Sequence, residues 1–202
     1  MTAPSLTPLS LAALGLLREK PRHPYEMYQT LVFRGEDRIV KVRPGTLYHS
    51  VARLAEQGFV EEDGVERDGN RPERTVYRIT LAGVEALGAA LEEMLGESGT
   101  TFPPFPLALA EAHSLPAGRV VEKLGNRIQG LHERLAEYEL LRNAALEREV
   151  PRAFWIVVEY QQHLLEAEAD WLSGLVEEIR TGSLDINPCT QAHSAGTGTP
   201  VA

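Results

Sequence analysis

A group of polar side chains between positions 41 and 74 could bind a polyanion. Their hydroxyl, imidazole, amide and guanidinium groups donate hydrogen bonds, and an Arg can hold a phosphate or pair with a guanine edge. A glycine among them would let a helix N-terminus approach a phosphate closely. The candidate nucleic-acid contacts are Lys41, Arg43, Gly45, Thr46, Tyr48, His49, Arg53, Asn70, Arg71 and Arg74. The alternative is a solvated helix face followed by an ordinary hairpin.

An amphipathic helix over residues 44–58 would position half of this group. Pro44 suits the first turn of a helix, where its missing N–H costs nothing. Leu47, Val51 and Leu54 recur at i, i+4 and i+7 and predict one buried stripe. Gly58 is a natural stop because it adopts the left-handed conformation without steric cost. The polar candidates of this helix therefore lie on its other faces.

A hairpin and another helix are predicted next. Residues 68–70 (Asp-Gly-Asn) are typical of a tight turn, and the return strand alternates, with Tyr77, Ile79 and Leu81 on one face. Thr80 is a suitable N-cap for the following helix. The order helix, hairpin, helix is that of a winged helix-turn-helix, which places one helix in a DNA groove and a β-ribbon beside it.

The net charge of −9 argues against nucleic-acid binding only while the chain is taken as a whole. Residues 1–82 hold 12 Lys and Arg against 11 Asp and Glu, a net charge of +1. Residues 83–202 hold 8 against 18, a net charge of −10, so the acidity belongs to the C-terminal half. Because phosphate binding needs a local basic surface, the N-terminal half remains a candidate for DNA contact.

Composition narrows the class of protein further. The single cysteine, Cys189, excludes an intrachain disulfide framework and favours a reducing cytoplasm. The apolar run from Leu9 to Leu17 is too short to span a membrane and predicts a core helix over residues 9–19. A second helix is predicted to start at Pro24. The sequence contains no phosphate-binding glycine loop, nucleophile elbow or Cys/His cluster, so we expect neither an enzyme nor a cofactor.

The C-terminal half predicts long helices. We expect a linker over residues 96–106 anchored by Phe102 and Phe105, a short helix over 106–113, a long helix over 116–149, and a last helix from Pro151 to Thr181. The last helix has two apolar stripes and therefore needs two partners, namely the long helix of its own chain and a second subunit. The predicted dimer contacts are Leu124, Ile128, Leu131, Val157, Leu164 and Trp171.

Two further patterns on the last helix each have two interpretations. Trp155, Trp171 and Tyr160 could stack on a planar effector, although aromatic residues also dominate dimer interfaces. A stripe from Glu159 to Asp170 has the spacing of metal ligands. No second histidine or carboxylate cluster accompanies it, so a solvated polar stripe is the preferred interpretation and no metal is expected.

Several strings together resemble the PadR family of bacterial transcriptional regulators. They are Pro44-Gly45-Thr46-Leu47-Tyr48, the strand Arg71-Pro72-Glu73-Arg74-Thr75-Val76-Tyr77, Thr80-Leu81-Ala82-Gly83, and His23-Pro24-Tyr25-Glu26-Met27. The resemblance covers residues 9–95, and the helical C-terminal half resembles the larger subgroup with a helical dimerisation domain. It implies a dimeric DNA-binding repressor, often autoregulated or controlling a neighbouring gene, that responds to small aromatic or lipophilic compounds. One departure is Arg43, where a capping Ser or Asn is expected.

The sequence thus predicts a mainly α fold with a small β-hairpin wing. The expected parts are a disordered N-terminus (1–8), a winged helix-turn-helix DNA-binding domain (9–95), a linker (96–106), an antiparallel long-helix dimerisation domain (107–182) and a disordered tail (183–202). The expected partners are double-stranded DNA, a second copy of the chain and a small aromatic or lipophilic effector, without a membrane. The alternative function is a helical protein–protein interaction module whose winged helix does not bind DNA.

Overall fold

The chain divides into two compact units, Met1–Gly99 and Thr100–Ala202. The computed structural model describes residues 6–66, 74–99 and 101–187. Its architecture is the predicted one: helices with one small antiparallel sheet. Each unit has its own hydrophobic core, and the two are described separately.

Three helices and a two-stranded sheet precede the last helix of the first unit. The order is α1 (Pro8–Glu19), α2 (Pro24–Phe33), a short 3-10 helix (Glu36–Arg38), α3 (Pro44–Glu56), β1 (Val60–Glu66), β2 (Arg74–Ile79) and α4 (Leu81–Gly96). The largest side chains that are completely buried in this unit come from α1, α2 and α3. They are Leu14, Met27, Leu31, Leu47 and Leu54. Tight burial of this kind fixes how α3 is oriented on its two neighbours.

The two strands form the stem of the predicted wing. They pair in an antiparallel register from Val60 opposite Ile79 to Glu66 opposite Arg74, with a β-bulge between Glu62 and Gly64. The segment before α2 extends this sheet, because Arg22 and Tyr77 exchange two backbone hydrogen bonds of 3.0 Å.

The predicted alternation of the return strand is present within β2. Tyr77 and Ile79, predicted on one face, both pack on the core of the first unit, and Arg78 of the other face is exposed. Val76, also on that other face, is 7% exposed. Leu81, predicted to share the face of Tyr77 and Ile79, is 75% exposed, because the strand has ended and α4 begins there.

The start of α4 explains one of the family-like strings. The Thr80 hydroxyl accepts a hydrogen bond from the Gly83 amide at 3.1 Å and donates one to the Gly58 carbonyl at 2.7 Å. A Cβ on Gly83 would lie 2.1 Å from the Phe59 carbonyl oxygen. Glycine is therefore required for α4 to pack against the entry to β1.

The regular elements among the described residues of the second unit are all helices. It contains α5 (Pro104–Ala110), α6 (Ala117–Glu147) and α7 (Ile156–Thr181), with short 3-10 helices at Ala112–Ser114 and Arg152–Phe154. The core lies between α6 and α7. α7 begins five residues after Pro151 because Trp155 adopts a non-helical conformation with φ −136°. The prediction that Pro151 opens the last helix is therefore wrong.

The two phenylalanines before α6 behave differently. Phe105 packs on the core of the second unit, and the Arg127 guanidinium lies 3.6 Å from the centre of its ring. Arg127 also forms an ion pair with Glu168 of α7, so Phe105 is held by a cation that is itself fixed. Phe102, predicted as a second anchor, is 89% exposed.

The residues directly after α7 make specific contacts. The Asn187 side-chain amide donates to the backbone carbonyls of His113 at 2.7 Å and Leu115 at 2.8 Å, and Ile186 packs on the core. Residues 183–187, predicted to start a disordered tail, are therefore tied to the segment before α6. The rest of that predicted tail, with Cys189, lies outside the described residues.

Candidate nucleic-acid interface

α3 is the helix that presents half of the candidate contacts. Its predicted buried stripe is confirmed, because Leu47, Val51 and Leu54 are at most 1% exposed. Ser50 adds a polar attachment, since its hydroxyl lies 2.9 Å from the Ser10 hydroxyl of α1 in the core. Gly58 follows the helix with φ +75°, as the stop signal predicts. A helix held along one side in this way presents its other side to the surroundings.

The N-terminus of α3 lacks the usual capping side chain. Arg43 stands at the N-cap position and makes no side-chain cap hydrogen bond. Thr46 compensates, because its hydroxyl accepts from the Arg43 amide at 3.2 Å and donates to the Arg43 carbonyl at 2.8 Å. The Arg43 side chain is exposed and is left available for other contacts. The hydroxyl of Thr46, a predicted DNA contact, is already engaged locally.

The side of α3 opposite its buried stripe is formed by exposed residues at helical spacing. Gly45, His49 and Ala52 recur at intervals of four and three residues, and Arg53 lies beside them. Ala52 was not among the predicted contacts, although the same periodicity places it on this face and a methyl group can pack on thymine. A Cβ on Gly45 would meet no described atom within 4 Å, so packing inside the chain does not explain this glycine.

Tyr48 lies between the buried stripe and the outward face of α3. Its ring contacts the His23 ring edge-to-face, with centroids 5.6 Å apart, and its hydroxyl lies 3.5 Å from His23 Nε2. The Tyr48 side chain remains 44% exposed. It is therefore both a packing residue and a reachable surface group.

The cations at α3 differ in their surroundings from Arg22 and Arg34 of the first unit. Arg22 and Arg34 both bind Glu19, and the hydrogen bond from Arg34 is the main reason that the pKa of Glu19 lies below its usual range. By contrast, no carboxylate of the described residues pairs with the exposed cations Lys41, Arg43 and Arg53. Unpaired cations can bind phosphate without first giving up an ion pair.

The wing stem has the opposite electrostatic character. Glu61, Glu62 and Asp63 of β1 are exposed, and Arg78 of β2 pairs with Glu61 at 3.1 Å and with Asp63 at 3.2 Å. This acidic strand is not among the predicted features, although three consecutive carboxylates are visible in the sequence. Because Glu61 and Asp63 neutralise the charge of Arg78, the wing stem is poorly suited to phosphate contact.

Only one of the three predicted wing contacts belongs to the described residues. Arg74 at the start of β2 is partly buried, and its guanidinium carbon lies 5.9 Å from the centre of the Tyr25 ring. Asn70 and Arg71 lie outside the described residues.

In the second unit, α7 has one buried and one exposed apolar stripe. The buried stripe, which includes Val158, Leu165 and Leu172, packs on α6 of the same chain. The exposed stripe repeats at spacings of 3-4-3-4-3, the pattern of a coiled-coil interface. It consists of Val157, Tyr160, Leu164, Ala167, Trp171 and Gly174.

Several predicted contacts of the second unit are already used inside the chain. Leu124 and Leu131 of α6 are 6% and 3% exposed, and Ile128 packs with them against the core. Trp155, a predicted effector contact, is 9% exposed and its indole N–H donates to the Val150 carbonyl at 3.0 Å. Because the core between α6 and α7 covers these residues, they hold the two helices of the same chain together. Trp171 and Tyr160 remain 57% and 60% exposed.

The described ranges offer neither a metal site nor a membrane span. No group of three or more His, Cys, Asp or Glu side chains there could hold a metal ion. No helix there is long and apolar enough to cross a membrane.

Comparison with known proteins agrees with this geometry. Residues 13–89 match the model of the transcriptional regulator PadR-like family. No curated protein matches the chain significantly in sequence. Among solved structures, Bacillus subtilis PadR in complex with operator DNA is similar with a TM-score of 0.75 at 17% identity, over 87% of this chain and 99% of that one.

Two further structures share the fold. Bacillus subtilis PadR in complex with p-coumaric acid gives a TM-score of 0.70 at 15% identity, over 87% of this chain and 99% of that one. The Vibrio cholerae virulence activator AphA gives 0.65 at 18% identity, over 86% of this chain and 98% of that one. At these identities the likeness concerns the fold.

The helices and hairpin of the first unit define a winged helix-turn-helix, the DNA-binding module of many transcriptional regulators. More particularly, residues 13–89 are a PadR-like transcriptional-regulator domain, as the string resemblance predicted.

Proposed function

We propose that the protein is a homodimeric, sequence-specific DNA-binding repressor of transcription that acts in the cytoplasm. The observation that supports this most is the set of exposed cations on α3 and directly before it: Lys41, Arg43 and Arg53 have no carboxylate partner among the described residues. In this proposal residues 9–95 are the DNA-binding domain and residues 107–182 the dimerisation domain.

DNA would be read by α3 lying in the major groove. Lys41 and Arg43 precede the helix and would bind phosphates, which fixes the register of the helix on the duplex. His49 and Arg53 would face base edges, with Ala52 against a thymine methyl group. Gly45 allows the backbone at the helix start to approach the DNA. The wing would contribute through Arg74 and through Asn70 and Arg71, while its acidic stem stays away from the phosphates.

The second copy would bind along the exposed stripe of α7. Leu164 and Trp171 are 49% and 57% exposed, an unusual state for large apolar side chains at coiled-coil spacing. The small residues Ala167 and Gly174 within the stripe would allow two helices to approach closely. A two-fold dimer carries two α3 helices, so the operator would be an inverted repeat with half-sites about one helical turn apart.

A small aromatic or lipophilic effector would release the DNA. Support comes from the shared fold with Bacillus subtilis PadR, which has been crystallised in complex with p-coumaric acid. Trp171 and Tyr160 offer exposed rings for such a compound. The effector would act by binding one of two dimer states more tightly, since only differential affinity shifts an equilibrium.

The test is a fluorescence-anisotropy titration with the DNA upstream of the protein's own gene, against a scrambled duplex of equal length and composition. We expect tighter binding of the upstream DNA at every salt concentration, and disappearance of the difference when its inverted repeat is disrupted. Equal affinity for both duplexes at all salt concentrations would contradict specific reading.

Arg53 provides a residue-level test of base reading. Arg53→Ala is expected to weaken specific binding by about 1–3 kcal/mol, because alanine cannot form the bidentate hydrogen bonds to a base. The same substitution should change affinity for the scrambled duplex much less. A matched control is Arg78→Ala, which removes an arginine that is paired with Glu61 and Asp63. Equal weakening in the two variants would show that Arg53 has no special role.

A further inference from the structure

The N-terminal turn of α2 contacts both elements that are proposed to meet DNA. This turn contains His23, Pro24 and Tyr25, none of which is among the predicted DNA contacts. His23 lies against Tyr48 of α3, and Tyr25 lies against Arg74 of β2. One short segment therefore touches α3, the proposed recognition helix, on one side and strand β2 of the wing on the other.

This turn is held in place by several independent interactions. The Nδ1 atom of His23 accepts a hydrogen bond from the Tyr25 amide at 3.1 Å, and the Glu26 carboxylate accepts one from the His23 amide at 3.3 Å. Together they form a capping box, and Pro24 fixes the first helical residue. The preceding residue, Arg22, is tied to β2 by its two backbone hydrogen bonds with Tyr77. His23 itself is 8% exposed.

The tautomer of the His23 ring determines which of its nitrogen atoms can donate to Tyr48. Because Nδ1 accepts a backbone hydrogen bond, the proton of the neutral imidazole is on Nε2, which faces the Tyr48 hydroxyl. That distance of 3.5 Å is at the limit of a hydrogen bond, so the edge-to-face ring contact is the main attachment. Tyr48 is thereby restrained to one side of α3 while its outer part remains exposed.

The contact with Arg74 is a cation–π interaction. The guanidinium carbon lies 5.9 Å from the centre of the Tyr25 ring, near the outer limit for such a pair. Tyr25 is 39% exposed and also lies beside the Tyr28 ring. The aromatic surface restrains the arginine at the start of β2, which would otherwise sample many rotamers.

We propose that His23 and Tyr25 are positioning residues for DNA reading: His23 orients Tyr48 of the recognition helix, and Tyr25 orients Arg74 of the wing. The proposal rests on the proposed DNA-binding function. Neither residue needs to touch DNA, since His23 acts through Tyr48, which is a predicted DNA contact, and Tyr25 acts through Arg74.

The substitutions must separate positioning from folding. His23→Asn keeps a good N-capping side chain but removes the imidazole ring. Tyr25→Leu keeps an apolar side chain of good helix propensity but removes the π face. The thermal unfolding midpoint of each variant reports whether the fold is retained.

The first experiment needs no DNA. In ¹⁵N NMR spectra of the full chain, the His23 imidazole is expected to show a single Nε2-protonated tautomer, and its signals are expected to shift in the Tyr48→Ala variant. Unchanged His23 signals in that variant would overturn the contact on which the proposal depends, whatever the protein binds.

The second experiment is a pair of double-mutant cycles on the affinity for the operator. His23→Asn is expected to weaken binding about 3- to 10-fold in the wild-type background and not further in Tyr48→Ala. Tyr25→Leu should behave in the same way with Arg74→Gln. The crossed pair, His23→Asn with Arg74→Gln, is the matched control and should be additive. Equal weakening in both backgrounds of a cycle would overturn the proposal, whereas a wild-type protein without specific DNA affinity would contradict the proposed function instead.

Discussion

α3 and α7 are both helices with one side packed and one side exposed, and their exposed sides are chemically opposite. The packed sides are alike, with Leu47 on α3 and Leu172 on α7 both at 0% exposure. The exposed side of α3 carries Gly, His and Arg, and the cations in front of it have no carboxylate partner within the described part of the chain. The exposed side of α7 carries an apolar 3-4-3-4-3 repeat. Packed sides determine the fold, and exposed sides indicate the partner.

The chemistry of each exposed side excludes the partner of the other. Phosphates would not be attracted to the stripe of Val157, Leu164 and Trp171, which contains no charge. A second helix would gain little by packing on α3, where Gly45 and Ala52 offer small apolar area and Arg53 would need a partner. The contrast therefore predicts DNA at α3 and a second copy of the chain at α7.

The largest expected effects concern the packed sides, which should respond alike. Leu47→Ala and Leu172→Ala each leave a cavity and are expected to lower the free energy of unfolding by about 2–5 kcal/mol. Both tryptophans belong to the second unit, so tryptophan fluorescence should report the Leu172→Ala change, while circular dichroism follows Leu47→Ala. His49→Ala is the exposed control, expected within about 0.5 kcal/mol of the wild type. If Leu172→Ala lowered the free energy of unfolding as little as His49→Ala, the packed side of α7 would not be equivalent to that of α3.

A charge on the exposed stripe of α7 should come next in size. Leu164→Glu places a carboxylate in an apolar interface without a partner and is expected to raise the dimer dissociation constant at least about 100-fold. Sedimentation equilibrium measures the change. His163→Glu introduces the same group on the neighbouring polar face and should leave the dissociation constant within a few fold. Equal weakening by both variants would mean that the stripe is not the interface.

A single methyl group on the exposed side of α3 gives a smaller and more discriminating effect. Gly45→Ala is expected to leave stability unchanged or raise it by up to about 1 kcal/mol, because alanine favours the helix and has open space around its Cβ. DNA affinity should nevertheless fall about 3- to 10-fold, since the methyl group would occupy the approach to a phosphate. If Gly45→Ala gained stability without losing DNA affinity, the DNA would not lie against the start of α3. Gly83→Ala is the contrasting case, in which the new Cβ would clash with the Phe59 carbonyl.

The smallest expected effect concerns the acidic wing stem. Glu62→Gln removes one carboxylate that is not paired with Arg78, and we expect DNA affinity to rise about 1.5- to 3-fold at low salt and to be unchanged at high salt. Glu139→Gln on α6 is the matched control for net charge. A rise of the same size in the control would show that total charge, not the position of the wing, controls the affinity.

Local patterns predicted the elements of the fold well. The stripe of α3, the Gly58 stop and the Thr80 cap depend on neighbours within four residues, so the sequence contains them directly. The residues whose state depends on distant partners were harder. Phe102 and Phe105 are three positions apart in the same proline-rich segment, yet only Phe105 meets Arg127.

The candidate site shows the same limit. Helical periodicity is sufficient to place His49, Ala52 and Arg53 on one face of α3. The link between His23 and Tyr48 joins positions 25 residues apart, and no spacing rule reveals it. The predicted dimer contacts lie on both α6 and α7, because periodicity cannot distinguish a stripe covered by the same chain from one that remains exposed.

The most direct measurement of the central claim is the salt dependence of DNA affinity in two charge-matched double variants. One is Lys41→Gln/Arg43→Gln before α3, and the other is Arg119→Gln/Lys123→Gln on α6, where both cations are paired with Glu122. The slope of log affinity against log salt is expected to fall in magnitude by about 1 for each phosphate that the first variant no longer binds, and to stay at the wild-type value in the second. An equal change in both variants, or no change in either, would contradict DNA binding at α3.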